Sequence, residues 1–202
     1  LGLLVPVAAA VAAGLNLPAA SGRPGEAIEA MAGQVVDDLR GRDVLLADGV
    51  LDDSIRLLAH RRGLPMEVVS LPLTVSMPYR QYLARFFSDP REQSLLQVSF
   101  VAFMQDFLAT DEGLARTAAR DLADPLREFG YLVPDHLLFR AEPAEDRIDL
   151  PALLAAQKPF WGRLEAFAAR SPDRRNPAYV YHRYLLRLAS KVANNIGFMQ
   201  VE

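Results

Sequence analysis

Cysteine is absent from the 202 residues, so zinc ribbons, thiol nucleophiles, iron–sulfur sites and disulfide frameworks are excluded. Histidine is scarce, with three scattered residues that leave little for a histidine-built metal site. No basic run exceeds two residues, and a net charge of −3 argues against a nucleic-acid-coating protein. Neither G-x-G-x-x-G nor G-x-x-x-x-G-K-[ST] occurs, so no phosphate-binding glycine loop is encoded. G-x-S-x-G and H-E-x-x-H are missing too, which makes a self-contained hydrolase the weakest reading. What is present is apolar: 51% of residues are hydrophobic against 23% charged, enough for a packed core.

Charge is also missing from residues 1–20, LGLLVPVAAAVAAGLNLPAA. Twenty helical residues rising about 1.5 Å each span roughly 30 Å, the thickness of a bilayer's hydrocarbon core. Apolar residues run all round rather than in one stripe, so the expectation is a transmembrane helix contacting the lipid bilayer. A secretory signal would carry Lys or Arg ahead of the apolar run, and a buried core helix would show a polar face. The flank at residues 21–42 is not enriched in basic residues, which places the following part on the extracytoplasmic, periplasmic side. The start at Leu1 and the end at Val201-Glu202 read as those of a piece of something longer.

Residues 21–148 read as an α/β domain. Helical spacing runs over Gly25–Leu39, and Val44–Ala47 is a short apolar run bounded by acids and Gly49, which suits a buried strand. A helix beginning at Asp52 or Asp53 and stopping at Gly63 leads to a second buried strand, Met66–Leu71. Strand, helix and strand in about 30 residues predict a parallel βαβ unit. The expected fold is therefore a small parallel sheet flanked by helices. Helices are expected over Pro78–Phe87, Arg91–Ala109 and Glu112–Leu122, and a hairpin over Tyr131–Arg140. The Phe-rich stripe Phe100, Phe103, Phe107 reads as core.

Ligands of such units lie beyond the carboxyl ends of the strands. Asp48, Asp52 and Asp53 fall there and could hold Mg²⁺ or bond sugar hydroxyls. The plainer reading is that Asp48 closes the strand in a turn while Asp52 and Asp53 cap a helix, since no basic residue accompanies them in the sequence. No metal site, catalytic residue or cofactor is assigned. His136 reads as structural.

Residues 149–202 are expected to be a helical tail. In KVANNIGFMQVE the run Asn195-Ile196-Gly197 is placed as in the first helix of a tetratricopeptide repeat, which makes the tail a candidate dock for a protein partner. If so, the face Leu185/Leu188/Val192/Ile196 would be left partly bare.

The run DVLLADGVLDDSIRLLAHRRGLPMEVVSL, followed by PYRQYLARFF, resembles the soluble C-terminal part of bacterial multi-pass membrane proteins related to protein O-mannosyltransferases. Asp48-Gly49 and Asp52-Asp53 match that family's D/N-G-x-x-D-type turn, and Tyr79 or Tyr82 matches its helix tyrosine. The stretch LVPDHLLFR resembles its later P-x-G-L-x-[FY]-R segment, with His136 where Gly is usual. The resemblance covers residues 1–140 and rests on short motifs. It implies a parent glycosyltransferase-like protein of the GT-C type that uses a polyprenyl-phosphate sugar donor. The family's catalytic carboxylate lies upstream of everything present here. This segment would then serve acceptor recognition or partner docking, through Asp48, Gly49, Asp52, Asp53, Tyr79 and Tyr82, without making bonds itself.

Overall fold

The computed structural model describes residues 23–121, 124–169, 174 and 178–199. The expected membrane helix of residues 1–20 lies outside the described residues. Among those described, no helix is long and apolar enough to cross a membrane.

The expected βαβ unit is present. Helix α1 (Arg23–Asp38) leads to strand β1 (Val44–Ala47), helix α2 (Asp52–Arg61) and strand β2 (Glu67–Ser70). The two strands pair in parallel, Val44 opposite Glu67 and Ala47 opposite Ser70. Four short helices follow: α3 (Met77–Leu83), α4 (Pro90–Val98), α5 (Phe100–Leu108) and α6 (Asp111–Arg116). The single helix expected over Arg91–Ala109 is two, because Ser99 is extended (φ −154°, ψ 125°) and its hydroxyl accepts from the Ala102 N–H to start α5.

A larger departure comes next. The helix expected over Glu112–Leu122 ends at Arg116, and Thr117–Ala119 form strand β3, parallel to β1. Thr-Ala-Ala carries no strand pattern and Ala favours helix, but β1 offers it an open hydrogen-bonding edge and a buried place in the sheet centre. Helix α7 (Asp124–Arg127) precedes the hairpin of β4 (Tyr131–Asp135) and β5 (Leu138–Glu142), as expected at Tyr131–Arg140. β5 runs antiparallel to β3, so the sheet has five strands in the order β2-β1-β3-β5-β4 and is mixed rather than purely parallel. Two long helices end the fold, α8 (Leu150–Ala168), which continues through Pro159, and α9 (Ala178–Met199).

Alternation along the strands divides the core. Leu45, Ala47, Val68, Ala118 and Leu138 face one way, against Met31, Val35, Ile55 and Ala59 of α1 and α2. Val44, Leu46, Val69, Ala119 and Phe139 face the other, against α3 to α6. There the expected phenylalanine stripe packs as core, with the Phe87 ring edge-on to Phe103 at 4.8 Å and to Phe107 at 5.5 Å.

Helix α9 corrects the expectation of a bare tail face. Leu185, Leu188 and Ala189 join the first core, while Val192 and Ile196 join the second. The helix therefore shares the sheet's core.

Candidate functional site

The strand order fixes where a ligand crevice would lie. From β1 the chain crosses through α2 to β2 on one side, then returns through α3 to α6 to β3 on the other side of β1. The switch point is the gap between the carboxyl ends of β1 and β3. Asp48 leaves β1 there, and Arg120 and Asp121 leave β3.

That gap is filled from within. Gly49 (φ 94°) and Leu51 (φ 67°) adopt left-handed backbone, and the Val50 N–H donates to the Asp48 carboxylate at 3.2 Å. This tight turn brings Asp52 back beneath Asp48. The Arg120 side chain, 1% exposed, donates to Asp48, to the Val50 carbonyl and, at 3.0 Å, to Asp52. Tyr184 of α9 closes the top: its hydroxyl donates to the other Asp48 oxygen at 2.6 Å, and the Arg120 guanidinium lies 5.6 Å from its ring centroid. Arg187 and Lys191, one and two turns further along α9, pair with Asp121 at 3.2 and 3.0 Å.

Electrostatics follow the burial. Burial raises the Asp52 carboxyl above its usual value, opposed by the Ser70 hydroxyl and by Arg120. Burial, followed by the Asp48 carboxylate, pushes the Tyr184 phenol well above its usual value despite the nearby Arg120. The phenol therefore stays protonated and acts as a donor. Among the described residues, two Arg120 nitrogens and one Asp52 oxygen have no hydrogen-bond partner. The arrangement is an internal charge cluster joining β1, β3, α2 and α9.

The expected acidic edge is thus only partly assembled. Asp48 and Asp52 meet on Arg120, whereas the Asp53 side chain is fully exposed and bonds Arg56 at 2.9 Å. Neither acid caps α2 with its side chain, because the N-cap residue is Leu51 and no side-chain cap bond forms. Among the described residues, no group of three or more His, Cys, Asp or Glu is placed to hold a metal ion.

Tyr79 and Tyr82 belong to a separate cluster on β2, one of the two edge strands of the sheet. The Tyr79 hydroxyl accepts from the Ser70 N–H at 2.8 Å and donates to the Val68 carbonyl at 3.2 Å. Arg56 also donates to that carbonyl, at 2.8 Å. Two side chains thereby satisfy two of the backbone groups, the Val68 carbonyl and the Ser70 N–H, that an edge strand would otherwise offer to another chain. Tyr82 donates to buried Glu67 at 3.0 Å, and its ring stacks 6.0 Å from that of Tyr79. Burial raises Glu67, against the Tyr82 bond and the Arg56 charge.

A third polar pair sits in the β4–β5 turn. His136 has φ 55°, the left-handed region that glycine favours, and is the position where the resembled segment carries Gly. Its Nδ1 lies 2.7 Å from the buried Asp38 carboxylate, and its ring stacks on Phe160 at 4.7 Å. Burial alone would lower the His136 pKa, but the Asp38 hydrogen bond and the charges of Asp38 and Asp135 together raise it above 6.5. A histidine whose folded pKa is raised stabilises fully below its unfolded pKa, near 6.5, and that stability is lost as pH rises through the folded value. The melting temperature is therefore expected to fall between pH about 6 and about 8, and to fall less in His136→Asn, which keeps a left-handed-tolerant residue. Thermal melts by circular dichroism across that range check this; equal slopes in the two proteins would contradict it.

Sequence reading missed Arg120, Tyr184 and Asp38. Arg120 lay inside an expected helix, and Tyr184 lies in the expected tail, 136 residues from Asp48 in the chain. The described residues thus define an α/β domain with a mixed five-stranded sheet, closed at its switch point by its own side chains. No family model matches the chain, and no curated protein or solved structure is found to be similar to it.

Proposed function

We propose that this chain is a non-catalytic recognition or docking domain of a larger membrane glycosyltransferase-like protein of the O-mannosyltransferase-related type. The observation that carries the non-catalytic reading is the closed switch point. Where an α/β sheet of this order would take a ligand, Arg120 is fully buried between Asp48 and Asp52, with Tyr184 over them.

The parent class rests on the segment resemblance. It is supported by the backbone work those residues do: Gly49 makes the turn after β1, Tyr79 seals the β2 edge, and the His136 position takes a left-handed turn. Residues 1–20 would hold the domain at the bilayer, on its extracytoplasmic face. A continuation into tetratricopeptide-like repeats fits the open space around Gly197, where a Cβ would meet no atom within 4 Å and a following helix has room. That exposed side of α9 is then the surface offered to a protein partner.

Thermal melts of the chain with and without Mg²⁺ or Ca²⁺ test the closed switch point. No change in melting temperature is expected with either ion. A rise with either ion that disappears in Asp48→Asn would replace this reading with a cation-assisted site on the acidic edge. Membrane placement is checked by fractionation: the chain with residues 1–20 should sediment with membranes, and a chain beginning at residue 21 should not.

A further inference from the structure

We infer that the loop from β2 to α3, residues 71–78, dips into the lipid bilayer and seats the domain with the carboxyl end of its sheet against the membrane. This deepens the reading above, in which residues 1–20 hold the domain at the bilayer, and rests on it.

The loop has its polarity inverted. No charged residue lies between Glu67 and Arg80. Within 71–78 the exposed residues are Pro72, Leu73, Val75, Met77 and Pro78, and Leu73, Val75 and Met77 are 51%, 85% and 55% exposed. The hydroxyl-bearing residues are the ones turned inward, with Thr74 buried and Ser76 half-buried. A loop that meets only water gains nothing from that alternation. Large apolar side chains exposed together in one segment mark a contact surface.

The backbone of the loop is prepared for an apolar medium. The Thr74 hydroxyl and N–H both donate to the Leu71 carbonyl, at 2.7 and 3.2 Å. The Ser76 N–H donates to the Leu73 carbonyl at 2.9 Å. Behind the tip, the Arg80 guanidinium donates to the Thr74 and Val75 carbonyls at 3.1 and 3.0 Å, and the Arg80 N–H donates to the Ser76 carbonyl at 3.1 Å. Pro72 and Pro78 have no N–H to satisfy. The carbonyls of Leu71, Leu73, Thr74, Val75 and Ser76 are thus bonded without water, which is what entry into lipid requires.

Position selects lipid over a protein partner. Helix α2 starts just past the carboxyl end of β1, and Ile28 of α1 shares a surface hollow with Ser54 at that start. Further along, Asp37 of α1 pairs at 2.6 Å with Arg62, just past the end of α2. The two helices therefore run the same way. Arg23 begins α1 ahead of Ile28, roughly 7 Å further out at the carboxyl end of the sheet. The uncharged residues 1–20 join the domain at that end, and the loop that follows β2 projects from it. With that segment in the bilayer, contact between loop and lipid is intramolecular, so a small aliphatic tip suffices. A protein partner would find neither a charge nor a free acceptor on those carbonyls to fix its register.

Because the chain has no cysteine, one introduced thiol reports depth directly. The test uses the full chain with Val75→Cys or Leu64→Cys, labelled with an environment-sensitive fluorophore and reconstituted into phosphatidylcholine vesicles. Leu64 is 43% exposed and lies between α2 and β2, at the opposite end of the sheet. The label at position 75 is expected to emit to the blue of the label at position 64. A nitroxide high on the lipid acyl chain should quench it about twofold or more, the depth an interfacial segment reaches. Aqueous iodide should quench the label at position 64 instead. Leu73→Asp with Met77→Asp, both at exposed positions, should return the label at position 75 to water while the chain still sediments with the vesicles.

A vesicle-bound chain whose label at position 75 is as open to iodide as that at position 64 would overturn the inference and leave the membrane reading standing. A chain that does not sediment with the vesicles would overturn both. Acyl-chain quenching undiminished by the two aspartates would also overturn it, because the aliphatic tip would then not be what inserts. A blue shift without acyl-chain quenching, growing with the ratio of protein to lipid, would make a second copy of the chain the occupant and overturn the lipid assignment.

Discussion

Arg120→Leu is expected to lower the unfolding free energy by about 3–5 kcal/mol, because it leaves Asp48 and Asp52 buried without their counter-charge. Arg120 is fully buried and is the guanidinium that bonds both carboxylates and the Val50 carbonyl. Its own two unpartnered nitrogens are removed at the same time, which puts the expected loss toward the lower end of that range. The loss should shrink in acid. Burial already raises the Asp52 carboxyl above its usual 3.8, so protonation relieves the folded state first. The relief is present at low pH and disappears as pH rises through the folded value. Urea unfolding near pH 7 and again near pH 4.5 measures both effects, with about 1 kcal/mol or more of the deficit recovered in acid. Adding Asp48→Asn and Asp52→Asn to Arg120→Leu should restore part of the stability at neutral pH, since neutral amides cost less to bury than lone carboxylates. A single-variant loss below about 1 kcal/mol would mean that the cluster is hydrated and that the switch point is open to ligands after all.

Removing residues 178–202 is expected to abolish cooperative unfolding altogether. Leu185, Leu188, Val192 and Ile196 are each at most 8% exposed and lie on the two opposite cores of the sheet. Each fully buried aliphatic side chain contributes about 1.5–3 kcal/mol, so the four approach the whole stability of an ordinary domain, about 5–15 kcal/mol. The deletion would also uncover Asp48 by removing Tyr184, and strip Arg187 and Lys191 from Asp121. Differential scanning calorimetry decides the matter. The truncated chain should show no endothermic transition, and a sharp transition near that of the full chain would make α9 a separable appendage.

The same helix shows how far local sequence carries. Its spacing of Leu185, Leu188, Val192 and Ile196 marks an apolar stripe, and a helix was legible there. What the stripe lies against was not legible, because an amphipathic face fits a repeat partner or a sheet edge equally well. Strands β1 and β2 were readable because compact apolar runs between turn residues have few alternatives. The β4–β5 hairpin was readable because Pro134-Asp135 breaks any helix there. Strand β3 was hidden: Thr117-Ala118-Ala119 is a strand only because the exposed edge of β1 pairs with it. Missing β3 meant missing Arg120, and with it the partner that turns two acidic residues from a candidate cation site into an internal ion cluster.

The sequence by itself therefore determined the βαβ unit, the hairpin, the helix stripes and a turn at Asp48 after β1, all set by spacing within about one or two turns of chain. Only the tertiary structure decided the strand order, the closing of the switch point, the sealing of the β2 edge by Tyr79 and Arg56, and the seat of α9. Each of these joins residues far apart in the chain, such as Asp48 with Arg120 and Tyr184. Local periodicity specifies which face of an element is apolar, and does not say which distant element will cover it.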